Sequence, residues 1–186
     1  MSKVKFGISE VHVATFTTNE DGTPTYDIPV KVPGAVSLSV EAQGDESKFY
    51  ADNGVYYSKI ANAGYEATLT IAKLTEYIKT NLLGQKKDAN GALIESTDDK
   101  QSPFVLMFQV EGDETNTRYV YYNCTLSRPS SENTSTEDSV EVATDELTLS
   151  ISQRYDKAVK AEIEEDNSKY NTVFTTVYEP EQVVTP

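Results

Sequence analysis

The chain has one cysteine, one histidine and no tryptophan in 186 residues. A lone cysteine, Cys124, excludes an intramolecular disulfide framework and a multi-cysteine metal site. A lone histidine, His12, argues against histidine-based catalysis and histidine-clustered metal binding. Basic residues are also scarce: 16 Lys+Arg stand against 30 Asp+Glu, a formal charge of −14. Gripping DNA, RNA or an anionic membrane takes a cationic face, which this composition does not supply. The sequence has no apolar run long enough to cross a bilayer, and MSKVKFGISEVHV at the N-terminus lacks an apolar signal core. Synthesis and folding in a reducing cytosol is therefore the expectation, with no membrane involvement. The nine glycines are scattered and form no phosphate-cradling loop.

What is present leans strongly toward strands. Val, Ile, Thr, Tyr and Phe together make 65 of the 186 residues, and these are the types that fit a pleated, half-buried surface. Val+Ile+Leu+Phe is 42, above the range of disordered chains. The length suits one domain over residues 1–186, with flexible termini at 1–5 and 179–186.

Period-2 runs recur along the chain, and each is read as a strand with one buried face. Val4, Phe6 and Ile8 share a parity that slips to Val11 and Val13, which places a β-bulge near Ser9–Glu10. Val36, Leu38 and Val40 form the next face, followed by Ala67, Leu69 and Ile71. Phe104, Leu106, Phe108 and Val110 share a face, as do Val120, Tyr122, Cys124 and Leu126, and then Leu147, Leu149 and Ile151. Turns at Asn19–Gly22, Asp88–Gly91 and Glu111–Asp113 fit antiparallel hairpins. Leu74, Tyr77, Ile78 and Leu82 have helical spacing, with Thr75 as cap and Gly84 as left-handed stop. The polar stretch Pro129 to Asp138 reads as a long surface loop. The fold class expected is mainly β: an antiparallel β-sandwich or barrel with one flanking α-helix.

Few constellations suggest chemistry. Cys124 sits on the apolar parity of its strand and reads as a buried small hydrophobe. His12 lies on the opposite parity from Val11 and Val13, so an exposed or interface position is expected. The carboxylate clusters do not match the spacing that wraps Ca²⁺, and neighbouring acids on a strand point to opposite faces. Sequons at Asn123 and Asn133 have no secretory signal to give them meaning. No catalytic residue, cofactor or metal is expected. Two features stand above this background. Residues 1–93 carry a net charge of −2 and residues 94–186 carry −12, which suits a surface that repels a polyanion. The excursion Gly44–Gly54, GDESKFYADNG, places aromatic rings in a polar segment. Its Asp45, Phe49, Tyr50, Asp52 and Asn53 are the candidate inter-subunit contacts, since aromatic side chains anchor interfaces.

Several stretches, in order over nearly the whole chain, carry a resemblance: IPVKVPGAV (28–36), FYADN (49–53), NAGY (62–65), LGQKKDANGALIE (83–95), YVYYNCTLSRP (119–129) and YNTVFTTVY (170–178). With these the chain resembles the major tail proteins, the tail-tube subunits of long-tailed, non-contractile bacteriophages of Gram-positive hosts. The resemblance implies a non-enzymatic virion protein, assembled in the host cytoplasm. Its subunits would form hexameric rings, and the rings would stack into a hollow tube through which DNA is ejected. It implies tail-tip, tape-measure and tail-completion proteins as further partners, and DNA that passes without specific binding. The competing expectation is a non-enzymatic acidic β-sandwich module for adhesion or ligand binding, which 12 tyrosines on strand surfaces would permit.

Overall fold

Alternating apolar and hydroxyl side chains put one face of each strand on a core and leave the other to water. The computed structural model describes residues 6–44, 46–51, 54–112, 115–129 and 143–181, with the backbone alone at 6, 46–51, 55 and 58–60. The long loop expected at Pro129 to Asp138 lies outside the described residues beyond Pro129. In chain order the strands are β1 (Phe6–Thr18), β2 (Pro24–Tyr26), β3 (Val30–Lys31), β4 (Ala35–Ala42), β5 (Glu46–Ala51), β6 (Gly54–Ile60) and β7 (Tyr65–Ile71). They continue with β8 (Lys86–Lys87), β9 (Leu93–Ile94), β10 (Phe104–Glu111), β11 (Arg118–Leu126), β12 (Asp145–Ser152) and β13 (Lys160–Ile163).

All the pairings are antiparallel. One sheet runs β2-β1-β10-β11-β12-β7-β4, with β3 beside β1 and β13 beside β11. It curls until Cα atoms of β4 come within 8 Å of β1. No ladder joins these two strands among the described residues, so the barrel keeps an open seam. The mainly β, antiparallel fold expected from the sequence is the one observed. The hairpins at Asn19–Gly22 and Asp88–Gly91 also form, with Gly22 and Gly91 in the left-handed region at φ 84° and 89°.

Two cores result. The concave side of the sheet buries Val11, Val13, Leu69, Leu106, Leu149 and Ile151 among others. The convex side of β1, β10 and β11 buries Ala14, Val105, Met107, Val120 and Tyr122 beneath Tyr170, Val173 and Val177. Those last three belong to residues 164–181, a strap laid over the back of the sheet. The central strand β10 is thus buried on both faces, Phe104 through Phe108, where alternation predicts one. FVLMF is a continuous apolar run, the mark of a doubly covered strand.

Bulges decide which side chains point inward. In β1 the register slips at Gly7 and again between Ser9 and His12, where Glu10 has φ 51°. The second slip is the one the parity change predicts. Lys31 holds the bulge by donating to Glu10 at 2.6 Å. In β11 an extra residue lies between Tyr121 and Cys124, opposite Leu106 and Phe104. The face expected for Val120, Tyr122, Cys124 and Leu126 is therefore split. Tyr119, Tyr121, Cys124 and Leu126 line the concave core, while Val120 and Tyr122 face the strap. A further slip between Ala35 and Ser37 takes Val36 off the face it would share with Leu38 and Val40 and leaves it 56% exposed.

The expected α-helix is a short helical segment, 76–82, of which Ile78–Leu82 has π pitch. Leu83 donates its N–H to Ile78 O at 3.0 Å. An i→i+5 turn brings both i+4 and i+5 beneath residue i, so Ile78, Leu82 and Leu83 all reach the core. The cap and stop are where the sequence puts them. Ile78 N–H donates to Thr75 Oγ1 at 3.4 Å, and Gly84 has φ 79°.

Candidate functional site

The exposed face of β4, β7, β12 and the C-terminal half of β11 follows directly from the alternation. The inward residues are Leu, Ile, Val and Ala with Tyr65 and Cys124, and the outward ones form cross-strand rows. Ser39, Thr68 and Thr148 make one row, and Ser37, Thr70 and Glu146 another. Glu41, Glu66, Ser150 and Thr125 make a third, and Ser152 stands opposite Asn123. Twelve outward positions hold only Ser, Thr, Glu and Asn, with no lysine, arginine or ring. Asn123 donates to Ser152 Oγ at 2.9 Å and to Gln153 O at 3.0 Å, which flattens one margin. Glu41 and Glu66 stand directly opposite each other. Like charges so placed destabilise a sheet, and none of the described residues gives Glu41, Glu66 or Glu146 a cationic partner. Stability does not explain such a row. Its signal in the sequence is the odd parity of VSLSVE, YEATLTI and DELTLSIS.

The second surface is the β5–β6 ribbon, a two-stranded sheet that joins no other strand among the described residues. Of the sequence-expected contacts, Phe49 and Tyr50 lie on β5, opposite Tyr57 and Val55, where only the backbone is described. Asp45, Asp52 and Asn53 lie outside the described residues. The sequence reading missed Tyr56 and Tyr57, whose signal was the YY of the return strand. They lie at the register slip opposite Phe49 and Tyr50 and are 75% and 58% exposed. At the ribbon's base Gln43 N–H donates to Gly64 O and Ala63 N–H to Gln43 O, each at 2.9 Å. A Cβ on Gly44 would collide with the Ala61 carbonyl, and one on Gly64 with the Ile151 carbonyl.

The third is the seam itself. Between β1 and β4 lies a groove of about 740 Å³ lined by Ile8, Leu38, Val40, Tyr65, Phe108 and Tyr121 among others. Lys160 and Glu162 border it and pair with each other at 2.7 Å.

The groups with chemical potential are structural. Cys124 is fully buried, and burial pushes its thiol up to about 12, so it is no nucleophile. His12 is 8% exposed rather than open to solvent. Its Nδ1–H donates to Glu10 O at 2.7 Å and its ring stacks on Phe174 at 4.7 Å, because the strap covers the parity expected to face outward. Arg118 lies over the Tyr170 ring at 3.8 Å. Arg154 is buried over the Tyr122 ring and donates to Asp156, Glu179 and Tyr26. These arginines anchor the strap. Among the described residues no cluster of His, Cys, Asp and Glu could hold a metal ion.

The family model described as phage tail tube protein matches residues 1–179. Among solved structures, the chain is similar to the tube-terminating cap of an anti-feeding prophage, with 14% identity, 87% of this chain and 93% of that chain covered, and a TM-score of 0.47. It is also similar to a chain of the sheath–tube complex of an extracellular contractile injection system, PVC, in the extended state. There the identity is 13%, the coverage 87% and 93%, and the TM-score 0.48. No curated protein matches it in sequence.

Proposed function

Because the chain belongs to the phage tail tube protein family, we propose that it is the repeating subunit of a tail tube and performs no chemistry. Six copies close into a ring, rings stack into a hollow tube, and DNA leaves the capsid through it. The virion is that of a long-tailed, non-contractile phage of a Gram-positive host, and assembly takes place in the host cytoplasm. Tail-tip, tape-measure and tail-completion proteins cap and measure the tube. The β5–β6 ribbon, with Phe49 and Tyr50 on its first strand and Asp45, Asp52 and Asn53 beside them in sequence, makes contact between rings.

The observation that carries this reading is the cation-free face of β4, β7, β12 and β11. We assign it to the lumen. Duplex DNA presents about one negative charge per 1.7 Å. A wall of hydrated hydroxyls and carboxylates, with no cationic partner among the described residues, offers that polyanion nothing to bind. Six copies of a four-strand face at about 4.8 Å per strand bring about 115 Å of wall to a ring, before any strand added between copies. Screening confines the repulsion to about 8 Å at physiological salt, so it acts as the duplex nears the wall. Each copy brings −14, which makes a six-membered ring strongly anionic.

The test is to concentrate the purified chain, seed it with natural tail tips, and follow it by sedimentation and negative-stain microscopy. Hollow rods or six-fold rings are expected. A folded chain that stays monomeric when seeded overturns the proposal.

A further inference from the structure

The groove and the ribbon are unlike the rest of this surface. Copies of a chain bearing −14 repel one another, so contact is cheapest where neither side carries net charge. The groove meets that condition, since Lys160 and Glu162 neutralise each other beside an otherwise apolar lining. So does the ribbon: residues 46–60 contain Glu46, Asp52, Lys48 and Lys59, a net charge of zero. Each also lacks what the other has. The groove is a concave, ring-lined space, with Tyr65, Phe108 and Tyr121 on its walls and the outer edge of β4 unpaired among the described residues. The ribbon offers two uncovered tyrosines and strand edges without partners among the described residues. An isolated two-stranded ribbon is only marginally stable in water. Tyr56 and Tyr57 are open to solvent, and no ribbon residue is among the described residues that line the groove.

We propose that the seam groove between β1 and β4 receives the β5–β6 ribbon of a second copy. The ribbon lies along the outer edge of β4 as an added strand, and Tyr57 or Tyr56 enters among Tyr65, Phe108 and Tyr121. Main-chain bonds supply affinity and the ring pocket sets the register. Aromatic pairs in offset or edge-to-face contact add to the area they bury. The contact is head to tail, one copy's ribbon in the next copy's seam, and an interface of that kind generates rings or filaments rather than closed pairs. The proposal deepens the tube reading and rests on it for the biological setting, but not for the contact.

The test uses a double variant, Tyr57→Cys with Val36→Cys, since Val36 lines the groove and is exposed. The concentrated chain is oxidised and run on a non-reducing gel, whether or not rods have formed. A covalent ladder from the double variant, with each single variant running no higher than a disulfide dimer, is expected. Absence of the ladder in a variant that keeps β circular dichroism overturns the docking. As a second measurement, a photoreactive benzoylphenylalanine at position 57 is crosslinked in the otherwise unaltered chain and the adduct mapped. Adducts in peptides of β1 or β4 of another copy support the docking, and adducts elsewhere overturn it. Rods that never form from the unmodified chain would sink the tube reading alone, because the ladder and the adduct are read in either case.

Discussion

At the scale of residues, Arg154 shows how much of the molecule is held by charge. Its side chain is buried, with Asp156 Oδ1 and Oδ2 each at 2.6 Å and Glu179 at 2.9 Å. The guanidinium hydrogen bond holds the Asp156 carboxyl below its ordinary value of 3.8. A carboxyl depressed in the folded state contributes stability that is present above the unfolded value and lost as pH falls through the folded one. Chemical denaturation should therefore show a loss of stability on the acid side of pH 4, and Asp156→Asn should flatten that limb while lowering stability at neutral pH. Arg154→Met should cost about 2 kcal/mol at pH 7, the scale of hydrogen bonds to charged groups, and should loosen residues 164–181 first, read as faster amide exchange there. None of this was legible in the sequence. Arg154 and Glu179 are 25 residues apart with no pattern linking them. His12 was misplaced for the same reason: its parity is outward, but the cover that buries it comes from Phe174, far along the chain.

At the scale of elements, the long strands of the main sheet were legible, β3, β6 and β13 were not, and strand facing was legible only in part. A period-2 run fixes a face until one extra residue reverses it. The slip near Ser9–Glu10 could be read because apolar residues lie on both sides of it. The slip in YVYYNCTL could not, since tyrosine and valine suit either face and hide the change of parity. The helix signal was correct in place, cap and stop but not in pitch, because the adjacent Leu82 and Leu83 both demand the core. Glycines at the ribbon's base are the most sensitive points of this architecture. Gly64 has φ 93° and lies against the Ile151 carbonyl. Gly64→Ala should destabilise the chain by about 1–3 kcal/mol, seen as a lowered melting temperature. Deleting residues 45–53 should leave the β circular dichroism spectrum intact and abolish rod growth, because none of the ribbon side chains among the described residues belongs to either core. Loss of the spectrum itself would make the segment part of the core.

At the scale of the whole molecule, composition argues against a grip on nucleic acid but does not say which surface would face it. The sequence places its excess charge in residues 94–186. The face assigned to the lumen draws Glu41 and Glu66 from the nearly neutral first half and Glu146 from the acidic second half. Only the sheet order, which sets β12 beside β7 and β7 beside β4, brings them together. Reversing that charge isolates the effect. Rods built from Glu66→Lys with Glu146→Lys should retain DNA that unaltered rods release, measured as DNA cosedimenting at low salt, and should release it as salt rises. Equal release from both would remove the electrostatic part of the reading. The most direct measurement is a cryo-electron microscopy reconstruction of the rods at a resolution that separates strands. The tube assignment expects Ser39, Thr68, Glu66 and Thr148 on the channel wall, with no lysine or arginine among them. A channel lined by the strap, residues 164–181, or by a cationic surface would contradict it.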